Sequence, residues 1–141
     1  MKSIAPVRFL KLALYADAAA SAALAGGQLL FPALLSEQLS LSAILLTETG
    51  IFLVGYVVML LCLAGMARVW AAAIQFVVIG NVGWALGCLA LAATPLVSPS
   101  GLGVAFLLFQ AVAVLLFAWL ERAGLRASMD IAPAPDHRSI A

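Results

Sequence analysis

Residues 43–66 read AILLTETGIFLVGYVVMLLCLAGM, and this stretch decides the fold class. Its only charged residue is Glu48, and the run is longer than the ~20 helical residues that cross the hydrocarbon core of a bilayer. Inside lipid, every backbone polar group must be bonded within the segment, so such a run has to be helical. The apolar residues also do not alternate with a period of two, as they do in membrane strands. The stretch therefore predicts a transmembrane helix.

Three further apolar runs, at about 12–33, 70–94 and 101–120, are also long enough to span a bilayer. Of the 141 residues, 66% are hydrophobic and 9% charged, against about 45–50% and about 25% in soluble domains. Together with the first stretch, this composition predicts an all-α polytopic membrane protein. Because the connections are short, including a first loop at 34–42, we expect an antiparallel four-helix transmembrane bundle over residues 1–126. Residues 127–141 are polar and proline-bearing, which predicts a disordered cytoplasmic tail.

The basic residues predict the orientation of the bundle. All seven fall before span one, between spans two and three, or after span four: Lys2, Arg8, Lys11, Arg68, Arg122, Arg126 and Arg138. Basic residues accumulate on the cytoplasmic side of membrane proteins. We therefore expect both termini to be cytoplasmic, in a bacterial inner membrane. Membrane lipid is the expected surrounding partner, and a net charge of +1 gives no reason to expect nucleic acid.

A polar stripe lies on span one. Asp17, Ser21 and Gln28 share one helical face, which should turn towards the bundle interior or a partner subunit. A carboxylate in a span costs ~2.5–3.5 kcal/mol on insertion scales, so Asp17 needs a partner or a proton. Two interpretations stay open: a proton or cation site, or a structural salt bridge with Arg68 or Arg122.

Glu48 lies near the outer end of span two, at a depth similar to that of Gln28. A hydrogen bond between the two side chains would satisfy both. Such a pair could form a ligand or proton site open to the outside. Alternatively, Glu48 is a carboxylate at a helix N-terminus, stabilised by the helix dipole near the headgroups.

Further polar residues fall deep in spans two to four. Asn81 and Gln110 lie near the midplane and are suited to hydrogen bonds between helices. Tyr56 needs a partner for its hydroxyl, and Trp84 lies one turn beyond Asn81. These residues could line an aromatic pocket or serve core packing. Glu121 falls on the inward face of span four, but at its cytoplasmic rim, where we expect an exposed ion pair of little energetic value.

Small residues form a second pattern. Gly80, Gly83 and Gly87 share one face of span three, and such stripes let helix backbones approach closely. The pattern predicts a tight helix interface, within one chain or between chains.

The sequence contains no recognisable motif for catalysis or for binding a cofactor. The motifs of hydrolases, zinc proteases and P-loop enzymes are missing. The single histidine, His137, lies in the C-terminal tail, so no haem or metal ligand is expected within the spans. With one aspartate inside the spans, a carboxylate dyad is not expected either. We expect no catalytic residue, no metal and no cofactor, and hence a protein that is not an enzyme.

Four segments resemble a set of small bacterial four-helix membrane proteins whose activity is not established. They are GGQLLFPALL at 26–35, GNVGW at 80–84, GVAFLLFQAVAV at 103–114 and LERAGLR at 120–126. In size the chain is also distantly similar to DoxX-like proteins. A weaker resemblance is to the small multidrug resistance transporters, which have an acidic residue in helix one where Asp17 would stand. In those transporters that residue is a glutamate within a motif that this chain lacks.

Three functional hypotheses follow from these observations. The first is a non-enzymatic structural or accessory protein, alone as a homo-oligomer or bound to another membrane protein. The second is a small proton-coupled transporter or lipophilic-ligand binder that uses Asp17 and Glu48. The third, implied by the resemblance to DoxX-like proteins, is a membrane redox protein.

Overall fold

The computed structural model describes residues 3–94 and 97–131 of the chain. Within these residues the fold is almost entirely helical, with one short antiparallel pairing of two extended segments. In chain order the elements are β1 (Ser3–Ile4), α1 (Arg8–Leu30), α2 (Pro32–Leu39), α3 (Ala43–Gly65), β2 (Val69–Trp70), α4 (Ala71–Ala93) and α5 (Gly101–Asp130).

Four of these helices, α1, α3, α4 and α5, are long and apolar enough to cross a membrane. This confirms the prediction of four helices with the length and apolarity of membrane spans. The bounds of α3 and α4 differ by at most one residue from the prediction. Helix α1 begins at Arg8, earlier than predicted, and ends at Leu30.

The predicted first loop is wrong, because most of it is the helix α2. Phe31 ends α1 with a backbone φ of −130°, and Pro32 starts α2 at its first position. Proline suits that position because its fixed φ is helical and its missing N–H would have no helical partner there. Ser40 then adopts a left-handed backbone conformation, with φ of 52°, and terminates α2.

Helix α5 is longer than predicted and includes the first residues of the expected tail. It continues past Leu120 to Asp130, while residues 132–141 of the predicted tail lie outside the described residues. A tertiary contact holds this extension: the Ser128 hydroxyl accepts a hydrogen bond from the Val7 backbone N–H at 3.0 Å and donates to the Gly124 carbonyl at 2.7 Å. The last turns of α5 are therefore packed against the N-terminal segment.

Helix packing is uneven around the bundle. Helix α1 packs along α3 and also contacts α5, and α4 packs along α5, whereas the backbones of α3 and α4 have almost no close approach. The β1–β2 pairing places Ile4 opposite Val69 in an apolar cluster at one end, together with residues of α1, α3, α4 and α5. A second apolar cluster includes residues from α2, α4 and α5. The weak α3–α4 contact leaves a groove between these two helices.

The start of α5 is fixed against the end of α2. The Ser100 backbone N–H donates to the Leu39 carbonyl at 3.0 Å, and its hydroxyl donates to the Gln38 carbonyl at 2.7 Å. The same hydroxyl accepts from the Gly103 N–H at 3.0 Å and so caps α5. A Cβ at Gly103 would overlap the Leu39 carbonyl oxygen, whereas one at Gly101 would meet nothing.

We predict that Gly103→Ala destabilises the protein by about 1–3 kcal/mol, the usual cost of overpacking. The reason is that the added methyl group must displace backbone of α2 rather than a flexible side chain. Thermal unfolding in detergent, followed by circular dichroism, measures the effect. Gly101→Ala, two residues earlier in the same helical turn, is the control and should leave the unfolding midpoint unchanged. Equal midpoints for the two variants would contradict the close α2–α5 contact.

Candidate functional site

Asp17 is the centre of a buried group of polar side chains contributed by all four long helices. Its side chain is 0% exposed. One carboxylate oxygen, Oδ1, accepts from the Ser21 hydroxyl at 3.1 Å, one turn further along α1. The other, Oδ2, accepts from the Tyr56 hydroxyl at 2.7 Å and from the Asn81 side-chain amide at 3.0 Å. The Asp17 carboxylate therefore accepts hydrogen bonds from α1, α3 and α4.

Asn81 links Asp17 to a second carboxyl group. Its Nδ2 donates both to Asp17 Oδ2 and, at 3.2 Å, to Glu121 Oε2 on α5. Its Oδ1 is 3.1 Å from the Tyr56 hydroxyl. We refer to Asp17, Ser21, Tyr56, Asn81 and Glu121 as the polar cluster.

Glu121 is the member of the polar cluster that the sequence analysis misplaced. It was expected at the cytoplasmic rim in an exposed ion pair, but it is 0% exposed, and its Oε1 has no hydrogen-bond partner among the described residues. It lies inside the bundle instead, where its other carboxylate oxygen accepts a hydrogen bond from Asn81 of α4. The expectation that no two carboxyl groups meet in the bundle is therefore wrong.

The predicted salt bridge of Asp17 is also not formed. The Arg68 guanidinium instead donates to the hydroxyl and the carbonyl oxygen of Ser3, and Arg122 is exposed. Within residues 3–94 and 97–131, no lysine or arginine hydrogen-bonds to either carboxyl group of the polar cluster. Hydroxyl and amide donors take the place of the expected cation.

Apolar packing lies close to the polar cluster along the same helices. Leu10 and Leu14 on α1, Leu60 on α3 and Leu125 on α5 belong to one buried cluster, and all are 0–3% exposed. They lie on the side of Asp17 and Glu121 towards β1 and β2. Buried hydrocarbon strengthens electrostatic interactions nearby, because it lowers the local dielectric. The hydrogen bonds of the polar cluster are consequently formed away from water at this end of the bundle.

On its other side, the polar cluster borders a small cavity, which lies beside a groove between α3 and α4. This α3–α4 groove has a volume of ≈ 430 Å³ and is lined mainly by apolar side chains, with Gln28, Thr49 and Gln110 as polar groups. The smaller cavity, of ≈ 120 Å³, shares Phe52, Gly80 and Trp84 with the groove. Ser21, Tyr56 and Asn81 line this smaller cavity. An apolar space thus leads to three members of the polar cluster.

Trp84 lines both the groove and the smaller cavity. Its ring stacks on Phe52 of α3, with ring centroids 5.8 Å apart and an interplanar angle of 11°. Its indole N–H donates to the Gln110 side-chain oxygen at 3.2 Å. Trp84, Tyr56 and Asn81 all line the smaller cavity, which is the pocket arrangement that the sequence analysis left open beside core packing.

Gln28 and Glu48 are not brought together as expected. The Gln28 side-chain oxygen accepts from the Thr49 hydroxyl at 3.2 Å, and Glu48 is exposed. Since Thr49 follows Glu48 directly on a helix, its side chain points about 100° away from that of Glu48. Gln28 therefore belongs to the wall of the groove, whereas Glu48 lies outside both the groove and the polar cluster.

The glycine stripe of α4 does not pack against another helix among the described residues. Gly80, Gly83 and Gly87 are exposed and line the groove, and a Cβ added at any of them would meet nothing within 4 Å. The tight interface that the stripe predicts is thus missing within the described chain. Instead, the absence of side chains on this face of α4 widens the groove.

Comparison with known proteins gives no family. The chain matches no protein-family model, no curated protein and no solved structure.

We predict that Tyr56→Phe destabilises the protein by about 0.6–2 kcal/mol, the usual range for a hydrogen bond between membrane helices. The variant keeps the ring and removes the hydroxyl that bonds to Asp17 and Asn81. Thermal unfolding in detergent measures the difference, and Tyr15→Phe, at an exposed position of α1, is the matched control.

A double-mutant cycle isolates the Tyr56–Asp17 bond. In an Asp17→Asn background the cost of Tyr56→Phe should fall, because the carboxylate acceptor is already gone. An undiminished cost would show that the Tyr56 hydroxyl acts elsewhere.

Proposed function

We propose that this protein binds a lipophilic molecule of the membrane in the α3–α4 groove, with a polar end of that molecule at Tyr56 and Asn81. The observation that carries the proposal is the adjacency of a largely apolar groove of ≈ 430 Å³ and a smaller cavity lined by Ser21, Tyr56 and Asn81, which share Phe52, Gly80 and Trp84 as wall residues. Ligand pockets typically measure about 300–1,000 Å³ and combine an apolar lining with a few converging polar groups.

The shape of the groove favours a ligand that arrives from lipid. The backbones of α3 and α4 hardly approach each other, so the groove opens sideways between two membrane-spanning helices. Its walls are apolar, and the polar side chains of Gln28, Thr49 and Gln110 occupy only small parts of them. A molecule with an apolar body and a hydrogen-bonding head fits such a surface. The proposed role is binding without a chemical step. Tyr56 and Asn81 contact the ligand, and Asp17 holds these two side chains in place by accepting their hydrogen bonds. Glu48 takes no part.

We predict that Gly83→Leu lowers the amount of bound lipophile by about tenfold, equivalent to about 1.4 kcal/mol. The leucine side chain would occupy the groove, where the glycine leaves open space. Protein extracted from membranes in a mild detergent is analysed by native mass spectrometry, and the bound molecule is then extracted with solvent and identified by its mass.

Gly55→Leu is the matched control for this experiment. Gly55 lies on α3, is exposed and has open space at its Cβ position, but it does not line the groove. This variant should carry as much ligand as the unaltered protein. Unaltered protein without any bound lipophile, or equal occupancy in the two leucine variants, would refute the proposal.

A second candidate function is an oligomerising or accessory role, and the outward-facing glycine stripe favours it. Gly80, Gly83 and Gly87 would let a helix from another copy or another membrane protein approach α4 closely. The same mass measurement separates the two candidates. A complex of two chains that carries no lipophile and dissociates in Gly83→Leu would support the second candidate and count against the first.

For the topology, we propose an antiparallel bundle in a bacterial inner membrane with both termini in the cytoplasm. Contacts support a common end for the N-terminal segment, the α3–α4 connection and the end of α5, through the β1–β2 pairing and the bond from Val7 to Ser128. The described basic residues lie in these segments. Exposed aromatic side chains, Tyr15, Trp70 and Trp119, suit the headgroup region near that end.

Reporter fusions test this orientation. A fluorescent protein that folds only in the cytoplasm should be bright when fused after Ala141, whereas a phosphatase that is active only outside the cytoplasm should be active when inserted after Ser98. Exchanging the two reporters is the control and should abolish both signals. Activity of both reporters at one site would indicate dual orientation and contradict the charge bias.

A further inference from the structure

We propose that Asp17 and Glu121 hold one proton between them, so that the polar cluster is a proton-binding site inside the bundle. The inference starts from a juxtaposition: two fully buried carboxyl groups, on α1 and α5, accept hydrogen bonds from the same amide nitrogen of Asn81. It goes beyond ligand binding and does not depend on whether the groove is occupied.

Counting hydrogen atoms shows that the polar cluster lacks one donor. The amide of Asn81 uses its two N–H groups for Asp17 and Glu121, and the Ser21 hydroxyl uses its one for Asp17. The Tyr56 hydroxyl has a single hydrogen for two acceptors, Asp17 Oδ2 and Asn81 Oδ1. Glu121 Oε1 receives none. One proton on the carboxyl pair supplies the missing donor.

Charge leads to the same conclusion. The titratable groups that the helices turn towards the polar cluster are Asp17 from α1, Tyr56 from α3 and Glu121 from α5, while α4 contributes the neutral Asn81. In the described part of the chain no basic side chain bonds to them. Two ionised carboxylates side by side in a buried site repel each other strongly, and sharing a proton removes one of the charges.

A metal ion fits this geometry less well than a proton. The position between the two carboxyl groups is taken by the Asn81 amide nitrogen, which carries hydrogen and cannot ligate a cation. The Ser21 and Tyr56 hydroxyls also point their hydrogens towards Asp17. Hard cations need oxygen lone pairs that converge on one point. Here the donors converge on the carboxylates instead.

Infrared spectroscopy of the purified protein near pH 7 tests the proposal through the carbonyl-stretching band of a protonated carboxyl group. We expect an intensity of one such group per chain from the polar cluster, which disappears in Asp17→Asn and in Glu121→Gln. The remaining carboxyl group can then ionise, because each variant supplies a neutral amide beside it. Glu48→Gln is the control and should retain the band, because Glu48 is exposed and outside the polar cluster.

Other outcomes overturn the proposal. A spectrum without the band, a band that only Glu48→Gln removes, or a band that survives Asp17→Asn would each exclude a shared proton. Circular dichroism checks that the variants fold. If either variant does not fold, the Glu48→Gln protein is labelled instead, once with carboxyl-¹³C aspartate and once with carboxyl-¹³C glutamate. A band that shifts with at least one of the two labels supports the proposal. A band that shifts with neither label excludes it.

Discussion

The structure depends on one constraint: two carboxyl groups are buried in the bundle without a basic partner among the described residues. In a medium of low polarity each such group must receive hydrogen bonds or be neutralised. Asn81 on α4 and Tyr56 on α3 donate these hydrogen bonds to Asp17. The position of Asp17 therefore determines which sides of α3 and α4 face α1. Because Asn81 also donates to Glu121, the same amide sets the rotation of α5. These directional bonds specify how the helices are arranged. Apolar contact alone specifies the arrangement weakly in lipid, because the lipid tails are as apolar as the helix surfaces.

The α3–α4 groove is a consequence of how these bonds are distributed. Helices α3 and α4 are connected through side chains, by the bond between Tyr56 and Asn81 and by the stacking of Phe52 on Trp84. Neither contact requires the backbones to approach. A glycine stripe on the α4 side then leaves space where other residues would fill it. The contacts between these long side chains hold α3 and α4 apart, and the glycines of α4 leave the space between the two helices unfilled. The groove therefore stays open.

The four spans could be predicted from sequence because lipid imposes a simple rule, a continuous apolar run of sufficient length. Asp17, Ser21 and Gln28 could be predicted to face inward for a similar reason, since a polar residue on an apolar helix avoids lipid, and all three are buried. The helix α2 was missed because its eight residues are too few to span a bilayer.

The misplacement of Glu121 has a different origin. Its position on the inward face of span four was visible in the sequence, but its depth was judged from where the apolar run ends at Leu120. Its carboxyl group is instead buried beside Asn81 of α4, which lies 40 residues earlier in the chain. Local hydropathy carries no information about such a contact. The only available signal was a carboxyl residue on the inward face, one residue beyond the predicted end of the span.

The two proposed properties, a lipophile in the groove and a proton on the carboxyl pair, meet at Tyr56. Its hydroxyl lines the cavity, and its single hydrogen is shared between Asp17 and Asn81. A ligand head that accepts this hydrogen would remove a donor from Asp17 and thereby favour protonation of the carboxyl pair. By thermodynamic linkage, a protonated pair would then bind such a head more tightly to the same degree. A head that donates a hydrogen bond to the Tyr56 oxygen would leave the Asp17 bond intact and couple weakly. The chemistry of the ligand head, rather than its apolar body, would therefore decide whether binding depends on pH.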